Sequence, residues 1–173
     1  MRHVTLAIGY AVQFEEILSR GFWLPVSVAV LCGGVLGLER QLRGKPAGMR
    51  TSILICMGTA VFVRLGNELA NHGGDPSRTL GQIVTGIGFL GGGVIVTQGG
   101  LIRGMTSAAV IWMIAAIGAA IGLDFYGEAF ALTLISALVL IGVQWLERTF
   151  RSLRRGVHAE DSPNESDSPD HAR

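Results

Sequence analysis

Few residues in this chain could do chemistry, and most of them crowd into one short stretch. Gly37-Leu38-Glu39-Arg40-Gln41-Leu42-Arg43-Gly44-Lys45-Pro46-Ala47-Gly48-Met49-Arg50-Thr51 holds one carboxylate among four cations, directly beside long apolar runs. A carboxylate at a membrane edge is costly unless paired. Glu39 is therefore expected to pair with Arg40 or with Arg50, closing the segment into a hairpin. Glu39, Arg40, Arg50 and Thr51 are the inner-loop candidates. A second polar point is Asp75-Pro76-Ser77-Arg78. A capping carboxylate followed by proline reads as a helix start. Asp75 and Arg78 are also candidates for holding an ion or partner at that surface. Arg64 and Glu68 sit four apart and can meet on one helix face.

Gly86-Ile87-Gly88-Phe89-Leu90-Gly91 spells G-x-G-x-x-G. A dinucleotide site needs a preceding strand, a following amphipathic helix and an acid about 20 positions on. Residues 106–111 contain no acid, and the run continues as Gly92-Gly93-Val94-Ile95-Val96 instead. The glycines read better as helix-packing positions, since small residues let helix backbones approach closely in a bilayer. Gly88 and Gly92 are four apart, as are Gly33 and Gly37, and Gly118 and Gly122. Together with Gly86 and Gly91 these are the packing candidates. A sharper alternative is a helix broken near Gly91-Gly92-Gly93, exposing backbone carbonyls to an ion.

These groups must be positioned by membrane helices. Of 173 residues, 49% are hydrophobic and only 16% charged, and the charges are clustered. Gly21 to Leu38, Thr79 to Ile102, Gly104 to Leu123 and Ala129 to Leu146 carry no charge. Each run is roughly 18 residues or longer, enough to cross about 30 Å of hydrocarbon as a helix. Thr51 to Val63 is a shorter run that becomes a span if Arg64 lies near its end. The expected fold is an all-α, polytopic membrane helical bundle with spans at 22–38, 51–69, 80–97, 105–123 and 128–146. Lys and Arg density alternates across these spans, which places the N-terminus outside and the C-terminus in the cytoplasm. Residues 1–21 read as an outer, interfacial segment and 22–146 as the transmembrane domain. Residues 147–173, basic from Arg148 to Arg155 and then acidic, read as a disordered cytoplasmic tail.

The formal charge of +1 offers no basic surface for nucleic acid. Cys32 and Cys56 lie inside apolar runs and read as buried thiols rather than a disulfide framework. No His/Cys cluster has metal-ligand spacing, and no nucleophile–base pair suggests an enzyme. No cofactor is expected.

The segments Gly37 to Gln41, Arg43 to Thr51, Asp75 to Arg78, Gln82 to Gly93 and Arg103 to Ala109, in that order, resemble the MgtC/SapB family of bacterial membrane proteins. The resemblance covers about residues 14–142. It implies a multi-pass inner-membrane protein tied to growth in low magnesium. It also implies action by restraining other membrane machinery, the proton-translocating ATP synthase included, rather than by carrying magnesium. Family members of that type carry a folded cytoplasmic domain after the last span, where this sequence reads as a tail. The leading expectation is a non-enzymatic accessory or regulatory protein that meets the bilayer, other inner-membrane proteins or its own copies through glycine faces. The alternative is a small transporter of magnesium ions or protons.

Overall fold

The computed structural model describes residues 20–70, 75–98 and 100–149; residues 1–19 of the expected N-terminal segment and 150–173 of the expected tail lie outside them, while 20–21 and 147–149 are helical. Five helices and one hairpin occur in order: α1 (Arg20–Leu42), α2 (Met49–Ala70), α3 (Pro76–Gly93), β1 (Val96–Gln98), β2 (Leu101–Arg103), α4 (Met105–Gly122) and α5 (Tyr126–Thr149). The chain divides into two compact units, Met1–Ala137 and Leu138–Arg173. In the second, residues 138–149 are helical. The polar candidates and the three glycine pairs all belong to the first.

Four helical stretches are long and apolar enough to cross a membrane: Gly21–Leu42, Met49–Ala70, Met105–Gly122 and Tyr126–Leu146. They stand where spans one, two, four and five are expected. The distribution of side chains is that of a bundle in lipid. Leu31, Leu54, Phe62, Phe89 and Leu134 face outward, while Arg40, Ser52, Thr59, Ser107 and Thr133 are buried. Water would not tolerate so much apolar exterior, and hydrocarbon would not tolerate those polar groups on it.

The third expected span departs from its predicted limits. α3 is a single helix of 18 residues that stops at Gly93, not 97. It is not among the described helices apolar enough to span on composition. Three successive glycines weaken the helix by about 1 kcal/mol each relative to Ala. The next four residues, Val94-Ile95-Val96-Thr97, are β-branched throughout and prefer extended backbone. The Val94 amide donates to the Gly91 carbonyl and the Ile95 amide to the Gly92 carbonyl, closing the helix. β1 and β2 then pair antiparallel, Val96 with Arg103 and Gln98 with Leu101. Gly100, just before β2, holds φ 79°, a conformation glycine adopts freely. The glycine run therefore ends α3 instead of breaking a longer span.

α2 is the centre of the unit and packs against α1, α3 and α4; α4 also meets α1 and α3. Its neighbours approach through glycine. A Cβ on Gly33 would lie 2.8 Å from the Ser52 carbonyl oxygen, and one on Gly37 would lie 2.6 Å from Met49 Cα. From the other side, a Cβ on Gly122 would lie 2.7 Å from the Ala60 carbonyl oxygen, and one on Gly118 would overlap that of Cys56. The expected close packing of spans one and four is present, and both close on α2. Leu36, Cys32, Cys56, Ile114, Ile117 and Ile121 fill the core between them. Both cysteines are free and buried, in keeping with the packing role expected of them.

Candidate functional site

α1 ends on the residues that the sequence marks as its polar centre. Gly44, at φ 61°, lets the chain turn back. The Gly44 amide donates to the Gln41 carbonyl and the Lys45 amide to the Arg40 carbonyl. This pair of bonds caps the helix C-terminus. The loop is tied to α2 by the Ser52 hydroxyl, which donates to the Ala47 carbonyl at 3.0 Å, and by the Gln41 side-chain oxygen, which accepts from the Met49 amide. Ala47 holds φ 59°, a conformation L residues rarely adopt.

Within this frame Glu39 is 8% and Arg40 1% exposed. Glu39 Oε1 lies 2.5 Å from Arg43 Nε, one helical turn on, and Oε2 lies 3.6 Å from Arg40 Nη1. Arg40 Nη2 donates to Ser107 Oγ at 3.0 Å, across 67 residues. The expected Glu39–Arg40 pair is present but loose, and Arg43 is the nearer partner. Arg50 and Thr51 are exposed and take no part in the buried cluster. Beyond these ion-pair contacts, both Glu39 oxygens, Arg40 Nε and Arg40 Nη1 are buried and make no well-formed hydrogen bond. A buried charge with unsatisfied donors and acceptors is expensive. This cluster is the most costly polar feature among the described residues.

Sequence reasoning missed two members of the cluster. Arg43 could have been found from its i,i+4 spacing to Glu39. Ser107 had no local signal, because its contact is long-range. Its position depends on Gly104, whose φ of 95° starts α4 and whose Cβ would overlap the Val94 carbonyl.

At the opposite end, Asp75 caps α3, as its sequence suggests. Its carboxylate accepts from the Ser77 amide at 2.9 Å and from the Ser77 hydroxyl at 2.7 Å. Pro76 opens the first turn and Arg78 is exposed. The Ser77 hydroxyl and amide hold the Asp75 carboxyl below the usual carboxylate range. Its folded value is thus lower than its unfolded one, about 3.9. The cap contributes fully above that unfolded value and is lost as pH falls through the folded one. An NMR titration of the Asp75 carboxyl in micelles should give a midpoint below about 3.9, and Ser77→Ala should raise it. A midpoint unchanged by Ser77→Ala would show that the cap does not hold the charge. Nearby, Arg64 donates to Asp124 at 2.9 Å and the Tyr126 hydroxyl donates to the same oxygen at 2.7 Å. This ties α2 to the turn between α4 and α5. Both partners of the pair are well exposed, so it adds little stability.

The glycines of α3 behave unlike those of α1 and α4. Gly91 meets Ala108 at ordinary contact distance, but a Cβ on Gly81, Gly86, Gly88, Gly92 or Gly93 would meet nothing within 4 Å. Gly81, Gly88 and Gly92 share a face with Thr85, by their spacing of three, four and seven. Among the described residues, nothing stands within contact of a Cβ added on that face at Gly81, Gly88 or Gly92. The G-x-G-x-x-G pattern lies wholly inside α3, so no strand-to-helix phosphate loop exists there.

Residues 26–149 match the MgtC family. The chain is 39% identical over 146 residues to "Putative magnesium transporter YhiD" of Escherichia coli K12, covering 80% of this chain and 67% of that protein. It is 41% identical to "Protein MgtC" of Brucella abortus, covering 78% of this chain and 60% of that one. It is 40% identical over 121 residues to "Protein MgtC" of Salmonella typhimurium, covering 70% and 52%. The chain thus spans about half to two thirds of the length of these relatives. No solved structure matches it.

Proposed function

From the premise that this chain belongs to the MgtC family and is a multi-pass bacterial membrane protein, we propose that it is a non-enzymatic accessory protein of magnesium homeostasis. It acts by docking on other membrane proteins. The magnesium link rests on the names of its relatives. The docking reading rests on one observation, the open glycine face of α3. Glycines in α1 and α4 are spent inside the chain on α2, whereas Gly81, Gly88 and Gly92 of α3 are left bare. A helix face of small residues lets a second backbone approach in lipid. The partner is a membrane-embedded helix, of another protein or of a second copy.

Gly92→Leu tests this directly. Among the described residues nothing lies within 4 Å of a Cβ added there, so the fold is expected to survive. The yield of in-membrane crosslinked complexes should fall about tenfold or more, since a close backbone approach is blocked. Crosslinking that persists at full yield, in a variant that inserts normally, would end the glycine-face reading.

One observation favours ion transport instead: the under-satisfied Glu39 and Arg40. Ionisable groups at membrane depth mark ion pathways by default. Magnesium or proton flux into liposomes, lost in Glu39→Gln, would transfer the function to that cluster.

A further inference from the structure

A groove of about 1070 Å³ runs between α2 and α3 and lies apart from the open glycine face. It begins at Ala47 and Thr51 and ends at Leu69 and Thr79. From Thr51 to Leu69 the α2 axis rises about 27 Å, close to the hydrocarbon thickness of a bilayer. Leu54, Phe62, Ile83, Ile87 and Leu90 line it, over a floor at Gly58 and Gly86 where an added Cβ would meet nothing. The lining is mostly apolar and the length is that of the membrane, so the occupant must be apolar and membrane-resident.

The two ends differ in charge. Beside Ala47 and Thr51 the exposed Lys45 and Arg50 stand without an exposed acid between them in the sequence. Arg43, the other cation of that loop, is engaged by Glu39. At the far end the exposed Asp75 and Arg78, of opposite charge, lie beside Thr79. The Lys45–Arg50 end sets the N-terminus of α2 beside the C-terminus of α3, so the two helix dipoles offset and the side-chain cations set its sign. A phosphate diester is attracted more strongly to the Lys45–Arg50 end, which has two cations and no exposed acid, than to the other, where one acid offsets one cation.

We propose that this groove binds an anionic phospholipid, with its acyl chains along α2 and α3 and its phosphate at Lys45 and Arg50. The groove gives the chains a bed, and the basic end selects the headgroup. Gly88 and Gly92 do not line it, so lipid binding and helix docking occupy different faces and can fail separately.

The test is native mass spectrometry of the full chain released from equimolar phosphatidylglycerol and phosphatidylcholine micelles, with circular dichroism to confirm folding. The wild type should retain phosphatidylglycerol about tenfold over phosphatidylcholine, within what two nearby cations supply. Lys45→Gln/Arg50→Gln should bring that ratio within about twofold of unity. Gly86→Leu, whose Cβ would meet none of the described residues within 4 Å, should lower retention of both lipids. Equal retention by the wild type would overturn the proposal. So would a preference that survives Lys45→Gln/Arg50→Gln but vanishes on neutralising Arg148 and Arg151. A wild-type dimer that Gly86→Leu converts to monomer, with lipid retention unchanged, would also overturn it and make the groove an interface between copies.

Discussion

Glu39→Leu lowers the stability of the folded bundle by about 3–5 kcal/mol, the range for breaking a buried ion pair from one side. Arg40 is 1% exposed, and its one hydrogen bond through a side chain is to Ser107. Without Glu39 its charge stays buried beside no carboxylate. Arg43, a quarter exposed, loses less because it can turn toward water. The same argument makes the pair strongly non-additive. Glu39→Leu/Arg40→Leu removes both charges and places apolar side chains where polar atoms now lack partners. It should recover more than half of the loss, as buried ion pairs replaced by hydrophobes often do. The measurement is equilibrium unfolding in mixed micelles, followed by circular dichroism. A double variant less stable than Glu39→Leu alone would show that Arg40 stabilises the bundle through groups other than Glu39.

Gly118→Leu should be about as damaging, at roughly 3 kcal/mol or more, because overpacking here meets backbone that cannot rotate away. The obstructing atoms are the Cys56 carbonyl and Thr59 Cβ on α2. Gly88→Leu is the matched control. Its surroundings are empty, and it should leave stability unchanged or raise it by up to about 1 kcal/mol through helix propensity. The same unfolding assay reads both. If the two variants lose equal stability, the distinction between spent and open glycines has no energetic meaning.

That distinction is not legible in the sequence. The spacing of Gly33 with Gly37, Gly88 with Gly92, and Gly118 with Gly122 is identical, yet two pairs are buried on α2 and one is bare. Spacing reports that a helix has a small-residue face but not what stands opposite. The receiving helix gives no such signal, because α2 meets the glycines with Ser52, Cys56, Thr59, Ala60 and Val63. Three spans, α1, α4 and α5, are legible because uncharged runs of such length have few alternatives in water or lipid, and α2 is legible only by letting its shorter run continue past Arg64. The end of α3 falls four residues before its expected place because apolarity continues through Val94-Ile95-Val96 while helix propensity does not. The Asp75 cap is legible as a local pattern. The Arg40–Ser107 bond is not, since no local rule links residues 67 positions apart.

The central place of α2 has a consequence in time. Its glycine-lined neighbour on one side, α1, precedes it and is joined by a short loop, so that pair closes as soon as α2 is made. The other, α4, arrives late: about 55 residues separate Val63 from Gly118. At ribosomal rates of about 5–20 residues per second, roughly 3–10 s pass before Gly118 and Gly122 exist. For that interval Cys56, Thr59, Ala60 and Val63 face lipid or whatever membrane chaperone stands beside the growing chain. The helix that ends at the centre of the bundle therefore begins with one flank unclaimed.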